Sequence, residues 1–172
     1  MPLDPQLLIK TLQTQIEQWM GRQHIDQIVM VGIRTGGVWI AERLHSDLGL
    51  STPLGILDIS FYRDDFSRIG LHPEVHPSNI PVDITDQHIV LVDDVLYTGR
   101  TIRAALNELF DYGRPASVRL AVMIDRGDRE LPIDANMIGT RMELHSNQQI
   151  KCSLPENAFA CRVLTQTRCW TH

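Results

Sequence analysis

The chain has 172 residues, 43% hydrophobic and 22% charged, with 21 acidic against 16 basic side chains for a formal net charge of −5. Those proportions exclude a disordered, collagenous or membrane-spanning chain and fit a single domain, large enough to bury about 70% of its unfolded surface without a disulfide or metal staple. The acidic balance weakens broad, sequence-independent nucleic-acid binding, which rests on phosphate neutralisation, yet leaves room for a local basic patch.

Asp4-Pro5 reads as the N-cap and first residue of a helix carrying Leu8, Leu12, Ile16 and Trp19 at three- and four-residue spacing, with Gly21 closing it. Asp4, Lys10 and Glu17 interrupt the apolar positions, so this is no signal peptide, and no apolar run approaches the roughly 18 residues of a membrane span. The expectation is a cytoplasmic protein with no membrane partner. Ile28 to Val31 is a short strand ending at Gly32, and after a loop to Gly37 comes a helical stripe of Val38, Ala41, Leu44 and Leu48 stopped by Gly49. Leu54 to Ile59 supplies another strand. Phe61 to Gln87 shows no period and is broken by Pro73, Pro77 and Pro81; an irregular stretch of that length in a compact domain is usually functional, often a lid.

The strand, loop and helix unit then recurs: Ile89 to Val92 as strand, residues 95–100 as loop, and Ile102, Ala105, Leu106 and Leu109 as a helix ended by Gly113 and Pro115. Val118 to Ile124 is a further strand, and Ile150 to Leu154 with Phe159 to Leu164, separated by Pro155-Glu156-Asn157, form a hairpin. Continuous apolar strands alternating with helices give an α/β fold with a doubly wound, mostly parallel sheet covered on both faces. Cys152, Cys161 and Cys169 match no zinc or redox spacing and are expected as reduced, structural thiols; His24, His45, His72, His76 and His88 show no ligand spacing either.

The chemistry concentrates in residues 89–101, where a buried strand runs into Asp93-Asp94 and then Val95-Leu96-Tyr97-Thr98-Gly99-Arg100-Thr101. Open α/β sheets place ligands at this end of their strands. Adjacent carboxylates repel unless something donates to both, and a ribose diol or a hydrated magnesium does so. Thr98 to Thr101 offer hydroxyls and backbone N–H groups at a helix N-terminus, where the dipole favours an anion. Diol at one end and phosphate at the other spell a ribose 5-phosphate. Separately, the acidic pair is also compatible with a helix cap or a lone metal site, and Thr-Gly-x-Thr with a plain turn.

Joined at this spacing, the segment resembles the phosphoribosyl-pyrophosphate (PRPP) signature of type I phosphoribosyltransferases, and its wording resembles the PyrR family, pyrimidine operon attenuators that are also uracil phosphoribosyltransferases. Five stretches carry the resemblance in matching order: Val31 to Thr35, Asp58 to Asp65, Pro81 to Ile84, the PRPP segment, and Asp125 to Ile133 with its Arg-Glu-Leu-Pro-Ile string. It implies that Asp93 and Asp94 bind the ribose hydroxyls and, directly or through water, Mg2+, with Asp125 a further metal contact. Thr98, Gly99, Arg100 and Thr101 would hold the 5-phosphate. Arg34, Thr35, Gly36 and Gly37 would form the pyrophosphate loop, whose bare alternative is an ordinary strand-to-helix turn. Gly36 stands where the family usually has a second basic residue, which would leave Arg34 with more of the pyrophosphate. Arg63, with Asp64 and Asp65, would open the flexible loop and clamp pyrophosphate, although the same residues also suit a solvated turn. Backbone groups of Ile124, Asp125 and Arg126 would contact uracil.

The resemblance further implies one phosphoribosyltransferase domain over 1–172, with a hood from about 125–172 plus the N-terminal helix, that converts uracil and PRPP to UMP and pyrophosphate with Mg2+ as cofactor, in a homo-oligomer of two or four copies. Arg63 and Asp94 would be the catalytic residues. A second function is sensing of UMP and other uridine nucleotides to attenuate pyrimidine genes by binding leader RNA. Arg129 fits that basic face, but Asp134 and Thr140 occupy positions typically basic, which discounts RNA affinity. The alternatives are an RNA attenuator with weak catalysis and, last, a purine phosphoribosyltransferase.

Overall fold

The computed structural model describes residues 3–60, 76–154 and 159–165. Helix α1 (Pro5–Gln23) begins as its sequence dictates, with the Asp4 carboxylate accepting from the N–H groups of Gln6 and Leu7. It does not stop at Gly21. His24 takes the left-handed cap conformation, with φ at 53°, three residues later, so Gly21 is tolerated inside the last turn and the cap falls on a non-glycine residue. Strand β1 (Val29–Ile33) is buried throughout and feeds α2 (Gly36–Asp47). Strand β2 is confined to Gly55–Leu57, shorter than the apolar run around it.

Strand β3 (His88–Leu96) is longer than its apolar stretch and includes Asp93 and Asp94, so the expected loop shrinks to residues 97–99 before α3 (Arg100–Asp111). Strand β4 (Ser117–Asp125) is followed by an unanticipated β5 (Met137–Arg141), then by the hairpin of β6 (Gln148–Ser153) and β7 (Ala160–Thr165). Five strands form one parallel sheet in the order β2-β1-β3-β4-β5, and β6 pairs antiparallel with β7. Of the long irregular stretch, residues 76–87 are described, and they carry a single bridge, Asn79 to Ile56.

Strand alternation divides the core in two. Met30, Val90, Val92, Ala121 and Met123 pack with Leu8, Leu12 and Ile16 of α1 and Ile40, Ala41 and Leu44 of α2. On the opposite face Val29, Val31, Ile89, Leu91, Leu120 and Val122 pack with Ile102, Ala105 and Leu109 of α3. Both faces are covered, which is why these strands read as unbroken apolar runs. No helix among the described residues is long and apolar enough to cross a membrane.

The cysteine expectation fails for two of the three residues. Cys152 and Cys161 stand opposite each other in the β6–β7 register and are joined by a disulfide. Cross-strand pairing brings the Cβ atoms of directly opposed residues within bonding reach, a relation that sequence spacing does not display. Cys169 lies outside the described residues.

Candidate active site

Asp93 and Asp94 reach the carboxyl end of β3 inside the ladder, and each carboxylate is steadied by the next backbone amide. The Asp94 N–H donates to Asp93 Oδ1 at 2.9 Å, and the Val95 N–H to Asp94 Oδ1 at 2.8 Å. Asp93 is only 3% exposed. Beyond Leu96 the chain turns through Gly99, whose φ of +92° is strained for any residue with a Cβ, directly into α3, for which Gly99, as the N-cap residue, supplies no capping side chain. The Thr98 carbonyl accepts from the N–H groups of Glu130 and Leu131, and its hydroxyl accepts from the Arg100 N–H. Residues 93–102 thereby wall one cleft of about 520 Å³, completed by Arg126, Glu130, and Gln149 and Ile150 of the hairpin.

The β1–α2 loop packs against the same strand. Its Arg34–Thr35 peptide is cis, and a Cβ on Gly36 would stand 2.6 Å from Asp94 Cγ. A larger residue at position 36 would require the Asp94 carboxylate to move. Arg34 Nε lies 3.7 Å from Oδ2 of the buried Asp58. Asp58 Oδ1 accepts from the N–H and hydroxyl of Ser60, and Oδ2 accepts from the His76 N–H at 3.1 Å. Burial by itself raises the Asp58 carboxyl; the bonds from Ser60 and His76, with the Arg34 charge, outweigh it and hold the group below its ordinary 3.8.

On β4, Asp125 pairs with Leu96 in the sheet and the Arg126 N–H donates to the Leu96 carbonyl at 3.0 Å. The Arg126 guanidinium lies over the Tyr97 ring, 3.7 Å from its centroid, at the wall of the cleft. Asp125 turns the other way. Its Oδ1 accepts from Arg129 at 2.7 Å and from the Gly127 N–H at 3.0 Å, and it lines a neighbouring cleft of about 500 Å³ with Arg129, Asp134 and Arg141. Arg129 also donates to the carbonyls of Ile133, Tyr97 and Gly127.

Residues 6–155 match the family described as phosphoribosyl transferase domain. The chain is 55% identical over 151 residues to the Bifunctional protein PyrR of Nitrosococcus oceani, covering 87% of this chain and 85% of that one, and 53% identical to the PyrR of Pseudomonas entomophila, covering 88% of each. The chain belongs to the PyrR family of phosphoribosyltransferases. Solved structures agree at the level of fold: a hypoxanthine-guanine phosphoribosyltransferase of Bacillus anthracis superposes with a TM-score of 0.66 at 17% identity over 83% of each chain. A hypoxanthine phosphoribosyltransferase of Staphylococcus aureus gives 0.62 at 18% identity over 81% of this chain and 76% of that one.

Within this PyrR-family fold, the residues singled out by sequence separate into groups. Asp93, Asp94, Thr98, Gly99, Arg100, Thr101 and Arg126 share one cleft, with Gly36 against Asp94. Ile124 is fully buried in the core, so only its backbone is available, and Asp125 is committed to the second cleft. Arg100 is ion-paired with Glu130 at 2.6 Å. Arg63, Asp64 and Asp65 lie outside the described residues. Sequence reasoning missed Gln149 and Ile150 as cleft residues, because nothing local in β6 signals where the hairpin folds. It also missed Asp58 as the partner of Arg34.

Proposed function

We propose that this chain transfers the phosphoribosyl group of PRPP to uracil, giving UMP and pyrophosphate. The observation that carries the reading is the single cleft shared by the acidic pair of β3 and the N-terminus of α3. In it, Asp93 and Asp94 accept hydrogen bonds from the ribose hydroxyls, and residues Thr98 to Thr101 take the 5-phosphate through hydroxyls, backbone N–H groups and the helix dipole. The two carboxylates are hard oxygen donors, and among the described residues no cluster of three metal-binding side chains occurs. That donor set fits Mg2+, which takes one or two carboxylates and fills its shell with substrate oxygens and water. When bound, Mg2+ neutralises charge on the departing pyrophosphate.

Arg34 and the loop 34–37 stabilise the same charge from the protein side. Arg63 is assigned the same duty from the resemblance alone. As the anomeric carbon loses pyrophosphate it gains oxocarbenium-like character, so the cleft must exclude water; the hood, from about residue 125 onward with α1 packed against it, does this together with Gln149 and Ile150. Backbone groups at Ile124 to Arg126 meet the base, beside the guanidinium held on Tyr97. Asp125 serves the hood through Arg129, and no nucleophilic side chain is required.

The chain also senses uridine nucleotides in this cleft, in keeping with the bifunctional name of its relatives. Leader RNA is bound weakly, because Arg129 spends its donors inside the hood loop and Asp134 sits beside it at 3.5 Å. The test is incubation with PRPP and Mg2+ plus each of uracil, hypoxanthine, guanine and orotate, following pyrophosphate release. Uracil alone should support turnover, and EDTA should abolish it. Turnover with guanine but none with uracil refutes the reading.

A further inference from the structure

Asp58 belongs to no part of the signature for ribose, phosphate or base, yet its side chain is 1% exposed and ionised in a polar knot at the carboxyl edge of β2. A buried carboxylate is costly unless it is fully partnered, and here the partners come from three separate places in the chain. Ser60 supplies two donors just before residues 61–75, His76 supplies one just after them, and Arg34 of the glycine loop lies 3.7 Å away. A fourth contact binds the knot to α3: the Ser78 hydroxyl oxygen accepts from the Asp58 N–H at 2.8 Å, while its O–H donates to the Glu108 carboxylate.

We infer that Asp58 is a positioning residue for pyrophosphate, fixing the Arg34 guanidinium from behind and tying Ser60 and His76 to the glycine loop. The inference rests on the phosphoribosyl-transfer reading above and deepens it. An arginine on a mobile stem loses much of its binding advantage when it must be ordered at each turnover, whereas a fixed counter-ion sets the fork in advance. A neutral amide in place of the carboxylate keeps the shape and still accepts from Ser60. It removes the charge that holds Arg34 and presents N–H donors toward the His76 N–H or the guanidinium.

Asp58→Asn should weaken pyrophosphate binding about tenfold and raise the KM for PRPP to a similar degree, the size expected for one charge-assisted contact. The affinity for UMP, which lacks pyrophosphate and is held by Asp93, Asp94 and Thr98 to Thr101, should stay within about twofold, a free-energy difference of about 0.4 kcal/mol. Calorimetric titration of wild type and variant with UMP and with magnesium pyrophosphate reads both. A double-mutant cycle with Arg34→Ala should be non-additive, the double variant binding pyrophosphate no worse than Arg34→Ala alone. Should Asp58→Asn fold poorly, Ser60→Ala strips one hydrogen bond while leaving the charge, and a two- to threefold loss confined to pyrophosphate is expected, about the size of a weak hydrogen bond. Equal losses of UMP and pyrophosphate affinity, or additive effects with Arg34→Ala, overturn the positioning role while leaving the enzyme reading intact. Wild type that binds neither ligand overturns both.

Discussion

Arg129 lies in the string that the family resemblance links to RNA, yet the structure uses it as a rivet. Arg129→Ala removes donors to Asp125 Oδ1 at 2.7 Å and to the carbonyls of Ile133, Tyr97 and Gly127 at 2.9, 2.9 and 3.2 Å. The carbonyls lie near enough to solvent for water to replace the donor at small net cost. Asp125 does not, since its side chain is 7% exposed. Removing one partner of a buried pair costs about 3–5 kcal/mol. Because Asp125 keeps the Gly127 N–H at 3.0 Å and Arg141 at 3.8 Å, we expect the low end, about 3 kcal/mol. The control is Glu130→Ala, which breaks a shorter contact, 2.6 Å to Arg100, between side chains 51% and 54% exposed; it should cost under about 1 kcal/mol. Urea denaturation at pH 7 measures both. An Arg129→Ala protein within about 1 kcal/mol of wild type, or no less stable than Glu130→Ala, would refute the claim that burial decides these pairs.

Asp94→Asn should lower PRPP affinity and turnover while the melting temperature stays level or rises, since an amide oxygen can still accept from the Val95 N–H and repulsion with Asp93 is relieved; thermal melts with and without PRPP check this. Leader RNA should show a gel-shift slope of about −2 or shallower in log affinity against log salt, at roughly −0.7 per phosphate. Arg129→Ala should leave that slope unchanged and Asp134→Arg should steepen it. Because the Asp58 carboxyl is held below 3.8 in the folded chain, its stabilisation is complete above about pH 4 and is lost as pH falls through the folded value. The stability gap between wild type and Asp58→Asn, followed by urea titration, should therefore narrow on acidification.

The parts of this molecule that could be read from sequence are those whose causes are local. The acidic pair, the turn at Gly99 and the start of α3 are contiguous, and the apolar runs of β1, β3 and β4 follow from a sheet buried on both faces. The edge strand β5 escaped because only Met137 is buried in Met137–Arg141, so no alternation is visible. The end of β3 escaped because carboxylates break an apolar run without breaking a ladder. Asp58 was illegible for a different reason, since its partners stand at positions 34, 60 and 76, and Gly36 lies against a side chain at 94. Proximity of that kind is made by β1, β2 and β3 lying side by side.

The register of β3 against β4 keeps one offset from His88 opposite Ser117 to Leu96 opposite Asp125. Neighbouring strands stand about 4.8 Å apart, so on the proposed reading the ends of β3 and β4, which carry the acidic pair and the segment from Ile124 to Arg126, would be the two jaws of a caliper whose opening is written in amide hydrogen bonds. Side-chain replacement at Tyr97 or Arg126 can change what the jaws grip but not how far apart they stand. An added residue within β4 does the reverse, turning every following side chain to the other face. On the proposed reading, drift in ligand preference is thus open to point mutation along this edge, while the span between the sugar and base sites would be inherited with the sheet.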